Sequence, residues 1–341
     1  MNVKYMYSLL AVIVLFLLAY LGVEAAGLEL LFGIVIPYVA VVAFLAGVVY
    51  RVMGWARSAV PFCIPSTCGQ QKSLPWIKPS KFENPFTPGA VVVRMILEVC
   101  CFRSLFRNTR NSIQEGSKLA FQLEIWLWLA ALAFHYAFLT VIVRHLRLFT
   151  EPVPALIKLV ETVDSFFRLE ILTDVVRIGV PGVYMSGLVL LAAVTFLIIL
   201  RIVIPQVKYI SLPADFFPLF LIFGIAFTGI LMRYFSKVNI RAAKELTLGL
   251  VSFHPTIPQG IGPVFYVHLF FVCILLAYFP FSKLMHMGGV FLSPTRNLPC
   301  NTRAVRHVNP WNYPVEVHTY EEYEEEFREK MIEAGLPVEK E

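Results

Sequence analysis

Long apolar runs separated by polar connections dominate the pattern of this chain. Six runs are long enough to cross a bilayer, because about 20 apolar residues span its hydrocarbon core. They cover residues 5–23, 30–50, 121–149, 184–204, 216–234 and 261–287. We therefore predict an all-α integral membrane protein, built as a six-helix transmembrane bundle.

The composition indicates a membrane protein and excludes a soluble one. Hydrophobic residues make up 58% of the chain and charged residues only 15%, against about 25% charged residues in soluble domains. Residues 1–22 also resemble a signal peptide, with Lys4 before the apolar run and residues 25–27 as a cleavage site. We expect this run to be retained as the first span.

The distribution of charge predicts the orientation of the spans. Residues 51–118 hold ten Lys or Arg against three Glu, whereas residues 150–183 hold three basic residues against five acids. The positive-inside rule then places the first loop and both termini in the cytoplasm. The loop after the fifth span is an exception to this rule. It is predicted to lie outside, yet it contains three basic residues, Lys237, Arg241 and Lys244, and one acid, Glu245. Because orientation accounts for the net charge of +6, we expect a lipid bilayer and no nucleic acid as the partner of these charges.

Four regions follow from the pattern. We assign residues 1–50 to two N-terminal spans, 51–120 to a basic cytoplasmic loop, 121–287 to a four-helix core and 288–341 to a cytoplasmic tail. Residues 89–107 and 153–178 alternate apolar and charged positions at helical spacing, which is typical of interfacial helices. The tail ends in an acidic, nearly all-polar helix, as expected of a surface that docks a partner subunit.

Histidines mark two of the six spans. His135 and His145 lie in the third, and His268 and His286 lie in the sixth. Antiparallel spans would pair His135 with His286 at one depth and His145 with His268 at the other. Eighteen residues separate His268 from His286, which makes five full helical turns and points both rings the same way. Ten residues separate His135 from His145, which leaves these rings about 80° out of alignment and about 15 Å apart along the helix. Histidine is rare within membranes and needs a partner there, and haem iron held between the two spans would provide one.

Other interpretations remain open at this point. Each histidine could be isolated, bonded to a carbonyl or placed at the interface, and intramembrane histidines also serve proton relays. A transporter would need a polar pathway, yet no Asp or Glu lies in the middle of any span. A membrane anchor without redox chemistry is a further alternative. We expect His254 to make a local loop contact.

The cysteines and basic residues refine the haem hypothesis. No Cys-x-x-Cys-His motif occurs, so any haem would be b-type rather than covalently attached. Haem propionates need cationic neighbours, and residues near the span ends could supply them or could simply snorkel to the interface. These residues are Arg144, Arg147, Arg201, Arg233 and Lys283. Cysteines at 63, 68, 100 and 101 fit no standard ligand spacing, so their role stays open.

The spacing of the histidines resembles that of the nitrate reductase gamma-subunit family of di-haem cytochromes b. The resemblance covers about residues 30–287. The loop motif FRSLFRNTR at 102–110 and NPWN at 309–312 look closer to one branch of the family. That branch contains the cytochrome b of the sulfite-reduction-associated (Dsr) complex and of the heterodisulfide-reductase-like menaquinol-oxidising enzyme.

The resemblance implies a function. It implies two haem b groups, with His135 and His286 ligating the one nearer the cytoplasm and His145 and His268 the outer one. Menaquinol would be oxidised near the outer face of a prokaryotic cytoplasmic membrane. Electrons would pass to a cytoplasmic iron–sulfur subunit resembling the catalytic subunit of heterodisulfide reductase, in sulfur-compound respiration. Further membrane and multihaem c-type subunits would complete the complex.

Overall fold

A computed structural model describes most of the chain. The described residues are 3–58, 69–114, 118–166, 169–172, 177–180, 183–302, 304–306 and 318–339. They divide into two compact units, of which the first comprises Met1–Arg51 with Val92–Phe291 and the second Val52–Val91 with Leu292–Glu341.

Six helical segments are long and apolar enough to cross a membrane, which confirms the predicted all-α bundle. They are Lys4–Glu24, Leu31–Ala56, Ile125–Leu148, Met185–Val203, Pro213–Phe235 and Pro263–Phe281. Their α-helical parts are α1 (Lys4–Glu24), α2 (Ile36–Ala56), α5 (Ile125–His145), α7 (Met185–Val203), α9 (Pro213–Ile230) and α11 (Pro263–Tyr278). The chain is a multi-pass membrane protein.

Shorter elements connect these spans. The helices are α3 (Pro88–Cys101), α4 (Arg103–Phe106), α6 (Ala155–Asp164), α8 (Pro205–Ile210), α10 (Ile240–Val251), α12 (His286–Leu292) and α13 (Tyr320–Glu333). The strands are β1 (Thr109–Gln114), β2 (Lys118–Leu123), β3 (Ser165–Phe166), β4 (Leu169–Leu172), β5 (Arg177–Val180) and β6 (Val183–Tyr184). They form three antiparallel pairs, β1–β2, β3–β6 and β4–β5.

The first unit is an arc of helices with a second layer behind it. α5 packs on α7, α7 on α9 and α9 on α11, while α1 covers both α9 and α11. Ser8 of α1 donates a hydrogen bond to the carbonyl of Pro213 at 2.7 Å, so α1 and α9 begin at the same end of the bundle. We call this the proximal end, and the opposite end, where α5 ends and α7 begins, the distal end.

The prediction for the sixth span is wrong in one respect, because the segment is not one continuous helix up to residue 287. Regular α-helix stops at Tyr278, and two 3-10 turns, Phe279–Phe281 and Lys283–Met285, precede α12. Pro280 cannot donate a helical hydrogen bond and crowds the preceding turn, and Ser282 is extended, with φ −116° and ψ 176°. The five-turn argument for His268 and His286 therefore does not apply.

Two further predictions about connecting segments are wrong. The helix expected over residues 153–178 ends at Asp164, and the described residues beyond it form β3, β4 and β5. The segment after the fifth span, predicted as a loop, contains α10. Asn239 caps this helix by accepting hydrogen bonds from the backbone of Arg241 and Ala242, and Leu246 is fully buried.

The basic loop agrees better with its prediction. α3 and α4 cover most of residues 89–107 as expected, with Phe102 between them in the left-handed conformation, at φ 50°. The strand β2 occupies the first residues of the predicted third span, so α5 begins only at Ile125. The side chains of Arg168 and Arg177 and the NPWN segment lie outside the described residues.

The second unit joins the first loop to the tail. The backbone N–H of Cys300 donates to the carbonyl of Pro85 at 2.7 Å, and Gln71 donates to the carbonyl of Cys300 at 3.0 Å. The acidic helix α13 begins with a reciprocal capping box between Thr319 and Glu322. Glu324 and Met331 are buried on this helix, and Glu324 pairs with Arg328 at 2.9 Å, so these two residues of the nearly all-polar helix are not exposed to solvent.

Candidate functional site

The four histidines of the two marked spans meet as two pairs. The ring centroids of His135 and His286 lie 6.0 Å apart with an interplanar angle of 82°. Those of His145 and His268 lie 6.3 Å apart at 19°. Both partners are therefore the ones expected from antiparallel spans. Iron between two imidazoles, at metal–nitrogen distances of about 2.0–2.1 Å, would place the centroids about 6 Å apart.

Hydrogen bonds fix the same tautomer in all four rings. Nδ1 lies 2.7 Å from a backbone carbonyl in three of them, namely the carbonyls of Ala131 for His135, Val141 for His145 and Lys283 for His286. A carbonyl only accepts hydrogen bonds, so Nδ1 carries the proton in these three rings. Nε2 then keeps its lone pair, and this is the form in which imidazole binds a metal.

The fourth ring obtains the same tautomer from a neighbouring helix. His268 Nδ1 lies 2.9 Å from Oγ1 of Thr228 on α9. That hydroxyl donates its own proton to the carbonyl of Gly224 at 2.7 Å, so it must accept from His268. Gly229 is the next residue, and a Cβ there would lie 3.3 Å from Cε1 of His268. α9 thus both orients the ring and approaches it closely.

Two aromatic rings contact His135 of the proximal pair. Phe102 and Phe134 both meet His135 edge-on, with centroids 4.8 and 5.1 Å from it. The left-handed backbone of Phe102, with φ 50°, is uncommon for a bulky residue and is a form of strain that clusters at functional sites. This conformation directs the ring onto His135.

The end of α3 is attached to the helix that carries His135. Trp128 donates from its indole nitrogen to the carbonyl of Cys101 at 2.8 Å, and Tyr136 donates to the carbonyl of Cys100 at 2.9 Å. The backbone of these vicinal cysteines therefore has a structural role, while both thiols are free and exposed. Cys63 and Cys68 lie outside the described residues. Elsewhere in the described ranges, no group of three or more His, Cys, Asp or Glu could hold a bare metal ion.

Two of the basic residues proposed as partners of the haem propionates, Arg144 and Arg201, lie at opposite ends of the bundle. Arg144 is beside His145 in sequence at the distal end, where it pairs with Asp164 at 2.8 Å and donates to Ser186 at 3.1 Å. Arg201 is at the proximal end and donates to Ser211 at 3.0 Å. Arg144 therefore already has a carboxylate partner, whereas Arg201 has a neutral one.

The arrangement of the helices fits a flat group held between the paired rings. α5 and α11 carry three of the four histidines but, among the described helices, make no extensive backbone contact with each other. They form the two ends of the arc and face one another through side chains. His145 and His286 are exposed, and their partners are half-buried.

An apolar cleft of about 370 Å³ lies beside α9 and is lined by residues of α1, α7, α9 and α11. Its walls include Phe16, Thr195, Phe227 and Thr228. The hydroxyls of both threonines are occupied by hydrogen bonds, to the carbonyls of Leu191 and Gly224. The cleft therefore suits a hydrocarbon chain but offers no free polar group.

Two residues near the histidines were missed by sequence reasoning. Thr228 was detectable as a polar residue inside an otherwise apolar span, but nothing in the sequence paired it with His268. Phe102 lies in the quoted loop motif, yet only the fold brings it to His135. His254 donates to the carbonyl of Ser252 at 2.7 Å, and this is the local loop contact expected of it.

Together, six spans and two facing pairs of histidines define a membrane protein of the cytochrome b type. Residues 93–305 match the nitrate reductase gamma subunit family, and the chain belongs to that family. It is 44% identical over 289 residues to the "Hdr-like menaquinol oxidoreductase cytochrome b-like subunit" of Archaeoglobus fulgidus, covering 83% of each chain. A protein of the same description from Archaeoglobus profundus is 41% identical over 283 residues, covering 81% of each chain.

Proposed function

We propose that this chain is a di-haem b subunit that oxidises menaquinol and passes the electrons across the membrane. His135 and His286 would hold the haem at the proximal end, and His145 and His268 the haem at the distal end. The substrate is suggested by the names of the two archaeal relatives, which are menaquinol oxidoreductase subunits. The site residues rest on the geometry of the described chain.

One observation carries the proposal. Each of the two pairs presents its rings about as far apart as a bis-histidine iron requires, with centroids 6.0 and 6.3 Å apart. Each of the four Nδ1 atoms is engaged as a donor, so each Nε2 is left as a ligand. Isolated histidines at the interface would have no reason to share both features. His254 has the same tautomer but does not face another histidine ring in the described part of the chain.

The protein's own residues would position the haems and keep other ligands away. When bound, the haems supply one-electron carriers at two depths, which divide a hydrocarbon core of about 30 Å into shorter steps. Two histidines per iron leave no open coordination position, so the site transfers electrons and excludes oxygen and substrate from the metal. Thr228 and the three backbone carbonyls fix the ring orientations, and Phe102 and Phe134 pack around the proximal pair.

The charge pattern supports an orientation for this transfer. Residues 51–118 carry seven more basic than acidic side chains (ten minus three), which favours the cytoplasm for the proximal end and for both termini. Menaquinol would then be oxidised at the distal, outer end, and its protons would be released outside. Electrons moving inward would contribute to the membrane potential, at about 2.3 kcal/mol per charge per 100 mV.

We further propose that the electrons leave at the proximal end to a cytoplasmic iron–sulfur subunit resembling heterodisulfide reductase. The description "Hdr-like" of the relatives supports such a partner. The basic loop and the acidic tail supply charged docking surfaces for it. Additional membrane and multihaem c-type subunits, and an acceptor in sulfur-compound respiration, belong to the same proposal.

Visible spectroscopy with haem quantitation tests the proposal directly. We expect two haem b per chain, reducible by menadiol, a soluble naphthoquinol, with low-spin spectra for both. Purified protein without reducible Soret and alpha bands would eliminate the di-haem function and leave the membrane anchor or transporter subunit as the alternative.

Cysteine labelling tests the orientation separately. In a background in which the six native cysteines are replaced by serine, a single cysteine replacing the exposed Tyr209, at the proximal end, should react with a membrane-impermeant maleimide only in inside-out vesicles. One replacing the exposed Phe253, in the turn after α10, should react only from the outer side. The opposite pattern would reverse the orientation while leaving the haem assignment intact.

A further inference from the structure

A connected group of polar side chains lies at the distal end of the bundle, next to the proposed ligand His145. We call this group the distal polar cluster. Its members are Arg144, Arg147, Glu161, Asp164, Tyr184, Ser186 and Arg233. They come from the end of α5 and the 3-10 turn after it, the helix α6, the strand β6, the start of α7 and the end of the fifth span, so the fold itself assembles the cluster.

The inner half of the cluster is fully engaged in structural bonds. Asp164 is buried and accepts hydrogen bonds from the backbone N–H and the hydroxyl of Ser186, at 2.7 and 2.6 Å. It also pairs with Arg144 at 2.8 Å. These contacts occupy both oxygens of the carboxylate, Oδ1 with the backbone N–H of Ser186 and Oδ2 with the Ser186 hydroxyl and Arg144. Asp164 therefore joins α6 to α5 and α7.

The outer half contains a carboxylate nearer to water. Glu161 accepts hydrogen bonds from Arg147 and from the hydroxyl of Tyr184. Exposure rises along the group, because the side chain of Asp164 is 6% exposed, that of Glu161 22% and that of Arg147 41%. Glu161 thus lies between the interior of the bundle and the aqueous edge.

Tyr184 connects Glu161 to the interior. Its ring lies between two guanidinium groups, with the central carbons of Arg144 and Arg233 3.8 and 4.0 Å from the ring centroid. Burial, followed by the hydrogen bond to Glu161, raises the pKa of Tyr184 above its ordinary value, although both arginines act in the opposite direction. The hydroxyl therefore keeps its proton at neutral pH, while the two cations would stabilise negative charge that develops on its oxygen.

We propose that Tyr184 and Glu161 form the exit path for the protons of quinol oxidised beside His145 and His268. This inference rests on the proposed function and adds to it the groups that receive the protons. The apolar cleft beside α9 offers no free acceptor, and Asp164 is already saturated. Of the carboxylates in the cluster, Glu161 combines contact with an interior donor and access to water.

The proton steps balance with the electron steps. In each of two steps, one electron would leave the quinol for a haem held by His145 and His268, which would serve as the one-electron acceptor and pass the electron on to the proximal haem. One proton passes from a quinol hydroxyl to the Tyr184 oxygen while the proton of Tyr184 moves to Glu161. Glu161 then releases it to water outside and pairs again with Arg147. Two such steps convert the quinol to the quinone.

Substitution of the two relay residues tests the proposal in the intact membrane complex, using menadiol as the reductant. We expect Glu161→Gln and Tyr184→Phe each to slow haem reduction at pH 7 by about 100-fold, within the range typical of a lost acid–base group. Haem content and reduction potentials should stay unchanged. The defect should shrink at alkaline pH, where hydroxide can take the proton, and Glu161→Asp should recover most of the rate.

A matched control is available in Glu151, a carboxylate of the same connection that pairs with Lys244 instead. Glu151→Gln should leave both the rate and its pH dependence unchanged. Wild-type rates in both relay variants, or loss of the distal haem in both, would overturn the proposal, the latter because it would show a purely structural role. Wild-type protein that menadiol does not reduce would instead contradict the proposed function.

Discussion

The two histidine pairs have similar ring separations but are built differently. In the distal pair, both histidines belong to continuous helices, and His268 is oriented by the side chain of Thr228 on a third helix. In the proximal pair, His286 begins a new helix after a break at Pro280, and its Nδ1 bonds only to the carbonyl of Lys283 within the same turn. The distal geometry therefore depends in part on a side chain from a neighbouring helix, whereas the proximal geometry depends on the path of the backbone.

The surroundings of the two pairs also differ, in their polarity. Aromatic rings pack around the proximal pair, among them Phe102 in its left-handed conformation. Charged and hydroxyl groups adjoin the distal pair, beginning with Arg144. An apolar shell and a polar shell tune a metal site in opposite directions, because solvent access and local charge set its reduction potential. The comparison predicts two haems of unequal potential.

The largest expected effect comes from removing one ligand of each pair in turn. His268→Ala should remove the distal haem and abolish reduction by menadiol, while His286→Ala should remove the proximal haem and leave the distal haem reducible by menadiol. Haem quantitation and reduced-minus-oxidised spectra measure both outcomes. If one substitution removed both haems, the two sites would not be independent and the comparison would fail.

Removing the side-chain support of the distal pair should have the next largest effect. Thr228→Val keeps the shape but deletes the hydroxyl that accepts from His268, and loss of such a partner typically costs about 10- to 100-fold in metal affinity. We expect weaker retention and a shifted potential for the distal haem alone, measured by redox titration. Thr195→Val on α7 is the matched control, since its hydroxyl bonds only to its own helix at Leu191.

A complementary substitution should disturb the backbone path of the proximal pair. A Cβ at Gly47 of α2 would lie 2.8 Å from Cβ of Pro280 and 2.9 Å from Cζ of Phe281. Gly47→Ala should therefore displace the turn before His286, at a cost of about 1–3 kcal/mol for overpacking. Haem loss on mild heating should affect the proximal site first. Gly54→Ala, on the same helix with nothing within 4 Å, should behave as wild type.

The smallest expected effect is the corresponding glycine substitution at the distal pair. At Gly229 the added Cβ would meet Cε1 of His268 at 3.3 Å, a contact that a rotation of the ring of a few degrees can relieve. Gly229→Ala should shift the distal potential slightly and leave haem content intact. A larger loss of haem than in Gly47→Ala would reverse the ranking of the two sites and contradict the contrast between side-chain and backbone support.

The sequence predicted the bundle well because hydrophobic length is a local property. Twenty apolar residues have to form a helix in hydrocarbon, whatever their neighbours are. Short segments were predicted less well, because their structure depends on distant partners. α10 contains charged residues and looked like a loop, but its capping residue Asn239 and its buried Leu246 make it a helix. α6 ends at Asp164, where the carboxylate bonds to Ser186 instead of facing solvent.

For the histidines, the sequence by itself predicted which rings face each other, because antiparallel spans leave one pairing at each depth. It did not determine how each ring is held. The break at Pro280 replaced the expected continuous helix. The contact of Thr228 with His268 joins residues 40 apart, and the distal polar cluster joins residues of several different elements. Such contacts depend on which helices become neighbours, and only the tertiary structure decides that.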